Sequence, residues 1–173
     1  MLFRSDEIVT GAGPGAVFGP HVRGWNIDGA AAAPIGAINF FAYSTQRHGV
    51  NVSTGDINSD GREEIVTAPG PSGYFSAHIR GWRYDGSSTT PLSGGSFFAW
   101  PSQQARFGAT VFAGGDLDED GRDELIIGAG PGSDMTPRVR VFRYTGGSVT
   151  PWFSLTAYPG DWHYGVNVAG GKL

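Results

Sequence analysis

Three carboxylates alternate at Asp116, Asp118 and Asp120, Gly121 follows, and Glu124 stands at the ninth position counted from Asp116. Hard oxygen donors at alternate positions, with a glycine to turn the backbone, are what a loop needs to wrap one Ca²⁺ ion. Arg122 takes the seventh position, where the backbone carbonyl is the ligand, so its side-chain charge is no obstacle. The same pattern recurs upstream as Asp56, Asn58, Asp60, the Arg62 carbonyl and Glu64, with Gly61 in the place of Gly121. Asp, Asn and Gly also build metal-free Asx turns, but two in-register copies favour two Ca²⁺ sites per chain. An EF-hand loop lies between helices and ends in a twelfth-position Glu. Here Ile65-Val66-Thr67 and Leu125-Ile126-Ile127 follow at once, so each loop belongs to a β-hairpin.

The elements that must hold these loops form an internal repeat. Glu7-Ile8-Val9-Thr10-Gly11-Ala12-Gly13-Pro14 matches the stretches beginning at Glu64 and Glu124, spaced 57 and 60 residues apart. Each copy reads as four short strands. Strand A precedes the acidic loop at 49–52, 108–111 and 165–168. Strand B follows it at 7–10, 64–67 and 124–127. Strand C, at 21–26, 78–84 and 138–144, alternates apolar and polar residues with the period of a half-buried strand. Asp28-Gly29, Asp85-Gly86 and Thr145-Gly146 are turn signals, and strand D is expected at 39–43, 96–100 and 154–158.

At 173 residues the chain suffices for one domain with a core. Its 29 glycines, 11 prolines and 13% aromatics suit many short strands joined by tight turns, an all-β profile. Net charge is −4 with no Lys/Arg block, which argues against a nucleic-acid groove. No apolar run is long enough to span a bilayer as a helix, and Gly29 to Tyr43 is interrupted by Pro34, Gly36 and Asn39. Neither a cysteine nor a signal peptide is present. Calcium loops of this affinity class fill reliably outside the cell, so a secreted or surface location is expected.

The run Phe107-Gly108-Ala109-Thr110-Val111, then Gly115-Asp116 to Glu124, then Gly128-Ala129-Gly130-Pro131 resembles the FG-GAP repeat of integrin α-subunit propellers and their bacterial relatives. The resemblance covers essentially the whole chain as a single repeat region, with repeats at about 1–57, 58–117 and 118–173. It implies four-stranded antiparallel blades around a central axis, with Ca²⁺ in the A–B hairpin of some blades. The chain departs from the family in placing Glu64 and Glu124 where an Asp is usual, and in reading His48-Gly49 and Tyr164-Gly165 in place of Phe-Gly.

Aligned on Glu7 and Glu64, Met1 falls at the place of Asn58 and Leu173 at that of Ile57, giving the strand order B-C-D, A-B-C-D, A-B-C-D, A. Propellers carry about four to eight blades. Three blades per chain therefore lead to the expectation of a homodimer closing a six-bladed ring, with strand A of one terminus completing the other's blade. The alternative is a slice of a longer propeller. At the expected junction Lys172 takes the place of Asp56, with Met1 and Phe3 at those of Asn58 and Asp60, and an ammonium near Asp6 and Glu7 is expected to stand in for the ion there.

In up-and-down blades the B–C and D–A loops share the face opposite the calcium loops. There they collect Arg47, His48, Tyr74, Gln103, Gln104, Arg106, Trp162, His163 and Tyr164. Aromatic rings beside amide, imidazole and guanidinium donors suit a glycan or other cell-surface ligand. Trp25, Trp82 and Phe142 recur in register and read as packing between blades. His21 and His78 give way to Arg138 in the third copy, which favours hydrogen bonding to a neighbouring blade over catalysis. No nucleophile elbow, zinc-protease helix or phosphate loop occurs, and no enzyme is expected. Two functions follow: a non-enzymatic, lectin-like recognition or adhesion module, or a purely structural repeat of a longer surface protein with no ligand of its own.

Overall fold

The computed structural model describes residues 7–44, 47–100, 106–133 and 135–171. Met1, Phe3, Asp6 and Lys172 of the expected junction lie outside them, as do Gln103 and Gln104. The described chain is all-β, with eleven strands in three antiparallel sheets of three, four and four strands. The first sheet contains β1 (Glu7–Gly11), β2 (His21–Asp28) and β3 (Ala31–Phe41). The second contains β4 (Val50–Gly55), β5 (Glu64–Pro69), β6 (His78–Tyr84) and β7 (Thr89–Phe98). The third contains β8 (Ala109–Ala113), β9 (Leu125–Ala129), β10 (Arg138–Thr145) and β11 (Ser148–Thr156). Each is a meander in chain order, none is closed, and among the described residues the first has no strand A.

The sheets stack in sequence and the core lies between them. Val22, Ile38, Ala42, Tyr43, Ile65 and Trp82 fill the first gap. Val66, Ile79, Ala99, Trp100, Ile127 and Phe142 belong to the second, larger cluster. The central strand β5 is buried at every position, including Glu64 and Thr67. Full burial of an Ile, Leu or Phe side chain is worth about 1.5–3 kcal/mol, so the aligned repeat positions supply most of the drive for stacking. Trp82 and Phe142 pack between sheets as expected, whereas Trp25 lies half-buried on the free face of the first sheet.

Strand D is about twice its expected length. It starts directly after the turn and carries Pro34, Pro91 and Pro151 opposite Trp25, Trp82 and Phe142. Proline donates no ladder bond and so looks like a strand breaker, but β3, β7 and β11 are outermost strands, where one donor per site can be spared. A register shift beside each proline, between Arg23/Gly24, Arg80/Trp82 and Val141/Phe142, absorbs the irregularity. The strand expected at 165–168 forms no ladder. Instead Val166 donates its N–H to the Ala129 carbonyl at 2.8 Å and packs with Ile126, Val139 and Val141. A strand-B partner for it does not occur among the described residues.

Glycine carries the chain past its neighbour at the start of β8. Gly108 has φ +69°, and a Cβ there would sit 2.2 Å from the Pro69 carbonyl oxygen. Gly49 repeats this with φ +71° against the Ala12 carbonyl. The Phe-Gly or His-Gly dipeptide therefore marks where one sheet's inner strand leaves the B–C loop of the sheet before it.

Candidate functional site

The acidic loops connect β4 to β5 and β8 to β9, and their turns are built from their own carboxylates. Asp56 accepts from the Asp60 and Gly61 N–H groups at 3.0 and 2.8 Å, and Asp60 accepts from the Arg62 N–H at 3.0 Å. In the second loop Asp116 accepts from Asp120 and Gly121, both at 3.0 Å, and Asp120 accepts from Arg122 at 2.9 Å. Ser59 and Glu119 both have positive φ (60° and 61°), as do Gly61 and Gly121, so the two backbones follow one path. The sequence repeat thus corresponds to a conformational repeat.

Glu64 and Glu124 are the buried members, at 0% and 1% exposure. Glu64 Oε1 accepts from Asn58 Nδ2 at 2.5 Å, and Glu124 Oε2 accepts from the Leu117 N–H at 2.6 Å. Glu64 Oε2 and Asn58 Oδ1 are buried without a hydrogen-bond partner. Orphaned buried oxygens are costly, and here both belong to residues expected as ligands. Burial, reinforced by Asp60 and Asp56, pushes the Glu64 carboxyl up to about 7. Burial also raises Glu124, with Asp118 and Asp120 adding to it. In the second loop Asp116, Asp118 and Asp120 each offer an oxygen within 4.8 Å of the others. A divalent cation would reverse this electrostatic cost, so the donor set fits one.

The two loops touch. Asp56 donates its N–H to Asp123 Oδ2 at 2.8 Å, and the Asp123 N–H returns to the Asp56 carbonyl at 3.0 Å. Sequence reasoning missed this role of Asp123, and it missed two cations on strand C. Arg83 pairs with Asp60 at 3.0 Å, and Arg143 pairs with Asp118 while its Nε lies 4.0 Å from Glu124 Oε1. The available signal was positional: both arginines follow the repeated aromatic by one residue, Trp82 and Phe142, while the first copy has Asn26. Arg62 lies exposed with its guanidinium on the Asp85 carbonyl, and Arg122 pairs with Asp120 at 3.2 Å.

At the opposite ends of the sheets each D–A loop rests on the B–C loop of its own sheet. His48 donates its N–H to the Gly15 carbonyl, Phe107 to Ser72, and the His163 carbonyl accepts from Gly132. Arg47 and Arg106 are exposed, Tyr74 and Tyr164 are 89% and 88% exposed, and Trp162 is half exposed. Three of the candidates are engaged by neighbours. His48 meets Phe75 edge-on, His163 Nδ1 lies 2.8 Å from the Met135 carbonyl, and Trp162 stacks on Tyr158 at 5.8 Å. The exposed candidates are therefore spread over three loop pairs.

His21 and His78 differ from expectation. Their Nε2 atoms lie 2.6 Å from Asn39 Oδ1 and 2.9 Å from Ser96 Oγ, on the outer strand of their own sheet, and their rings stack on Phe41 and Phe98. Strand C and strand D pair directly, which brings these same-sheet partners beside each imidazole.

No family model matches the chain. Over 132 residues, 72% of the chain, it is 27% identical to integrin alpha-4 of Xenopus laevis, and the match spans only 12% of that protein's length. This similarity is weak, and it accords with the repeat resemblance and with the all-β sheets.

Proposed function

We propose that the chain is a calcium-stabilised recognition module whose sheets are propeller blades of FG-GAP type, acting outside the cell. The observation that carries the reading is the pair of buried, unpartnered oxygens, Asn58 Oδ1 and Glu64 Oε2, inside a loop that the chain builds twice. Asp56, Asn58, Asp60, the Arg62 carbonyl and Glu64 would hold one Ca²⁺. Asp116, Asp118, Asp120, the Arg122 carbonyl and Glu124 would hold a second. The ion would offset carboxylate repulsion and pin each A–B hairpin, coupling metal binding to folding. The similarity to an integrin α subunit supports the surface location.

The ligand class this reading favours is carbohydrate. Tyr74, Tyr164 and Trp162 offer exposed rings, and Arg47 and Arg106 offer donors, on loops held by a stiff scaffold. A glycan array run with calcium and again with chelator tests it. Specific binding lost on chelation supports a lectin whose loops the metal scaffold holds, and binding that survives leaves calcium a purely stabilising role. The internal stacking of Trp162 on Tyr158 and the His163–Met135 contact favour a second reading, a structural repeat without its own ligand. A blank array on folded protein would select it.

A further inference from the structure

The contact between successive sheets is built twice from aligned residues. In the first gap Arg80 Nη1 donates to the Ala42 carbonyl at 2.6 Å, and Arg80 lies over the Trp82 ring. Phe40 packs on Trp82 at 4.6 Å, and the Tyr43 hydroxyl lies 2.6 Å from the His78 carbonyl. In the second gap Arg140 Nη1 donates to the Ala99 carbonyl at 2.5 Å, Arg140 lies over Phe142, and Phe97 packs on Phe142 at 4.8 Å. Trp100 takes the buried place of Tyr43. Alignment of strand D is secured by one hydrogen bond in each sheet: Ala42, Ala99 and Ala157 donate to the carbonyls of Pro20, Ala77 and Pro137.

Both halves of this contact occur a third time, on opposite faces of the stack, without each other. The first sheet presents Arg23 over Trp25, with Trp25 Nε1 on Thr10 Oγ1, as Trp82 Nε1 is on Thr67 Oγ1 in the second. The third sheet presents Leu155, Ala157 and Tyr158, the counterparts of Phe40, Ala42 and Tyr43. Exposure marks both faces as open: Ile8 is 51% exposed against 2% for Ile65 and 2% for Leu125. Tyr158 is 50% exposed against 4% for Tyr43 and 4% for Trp100. The inner edge shows the same split. Among the described residues β1 has no strand A beside it, and 166–168 has no strand B.

We propose that these faces are one docking surface, occupied by a second copy of this chain. Arg23 of one copy would donate to the Ala157 carbonyl of the other, and Leu155 and Tyr158 would cover Trp25 and Ile8. The 166–168 segment would add to β1 in the register of β4 on β5, with Val168 opposite Thr10 as Val52 is opposite Thr67. Each copy carries both halves, so a two-fold pair satisfies both contacts together. The inference rests on the blade reading of the sheets and is independent of metal.

Light scattering on the 173-residue protein across a concentration series, with calcium and with chelator, tests it. The expected particle has twice the 18.2 kDa chain mass. Tyr158→Glu and Arg23→Glu, which change side chains on the open faces, are expected to abolish the dimer while circular dichroism and calcium uptake stay unchanged. The chain has no cysteine, so Thr10→Cys/Val168→Cys should form a covalent dimer on oxidation, and neither single variant should. A monomer at every concentration, an open polymer or larger ring, or a dimer indifferent to both charge substitutions would overturn the proposal. Calcium uptake measured on the same samples scores the metal reading separately.

Discussion

Replacing Glu64 by Gln separates the charge of this carboxylate from its packing. Without metal, burial and the neighbouring Asp60 and Asp56 raise its pKa from 4.5 to about 7. One pKa unit is worth 1.36 kcal/mol, so holding Glu64 ionised costs the metal-free fold up to about 3 kcal/mol above pH 7. The folded pKa is the higher one, so the folded state binds the extra proton. Stability contributed by that proton is complete below about pH 4.5, is lost as pH rises toward 7, and stays lost above. In chelator, Glu64→Gln should therefore match the wild type near pH 4.5 and exceed it by up to about 3 kcal/mol at pH 8. The variant should keep only the slope from Glu124, which is raised for the same reasons. With saturating calcium the order should reverse, because the ion favours the carboxylate that the amide lacks. Urea unfolding at several pH values, with and without calcium, reads all four states. Parallel pH–stability curves for the two proteins in chelator would refute the argument.

Two further substitutions test the scaffold. Gly108→Ala places a Cβ 2.2 Å from the Pro69 carbonyl at φ +69° and should cost about 3 kcal/mol or more in urea unfolding. Gly13→Ala, where a Cβ meets nothing within 4 Å, should cost at most about 0.5 kcal/mol. Tyr43→Phe removes the hydroxyl that lies 2.6 Å from the His78 carbonyl and 3.0 Å from the Thr67 carbonyl, between the first two sheets. A loss of about 1–2 kcal/mol is expected, seen as a melting temperature lower by about 2–8 °C. An unchanged melt would mean that water satisfies both carbonyls equally well.

The acidic loops and the strand order around them were legible because their residues are chemically costly anywhere else. Alternating carboxylates with glycine in two registers leave few alternatives, and the loops fold alike down to the positive φ of Ser59 and Glu119. Strand D was half hidden because Pro34, Pro91 and Pro151 read as breakers until their position on outermost strands is known. The contact between sheets was harder still. Arg80 acts through a carbonyl on another sheet, and its repeat with Arg23 and Arg140, two residues before each aromatic, was the overlooked sign. The candidate ligand loops carry no repeat, so sequence could name Trp162 and His163 but not their engagement with Tyr158 and Met135.

The central claim is that this chain folds around calcium in two loops, and titration calorimetry of the metal-stripped protein tests it most directly. The account predicts two ions per chain, with Asp56→Ala and Asp116→Ala each taking up one, and a melting temperature that rises with calcium and falls with chelator. Absence of calcium uptake by folded wild-type protein, with a melt indifferent to chelator, would contradict it.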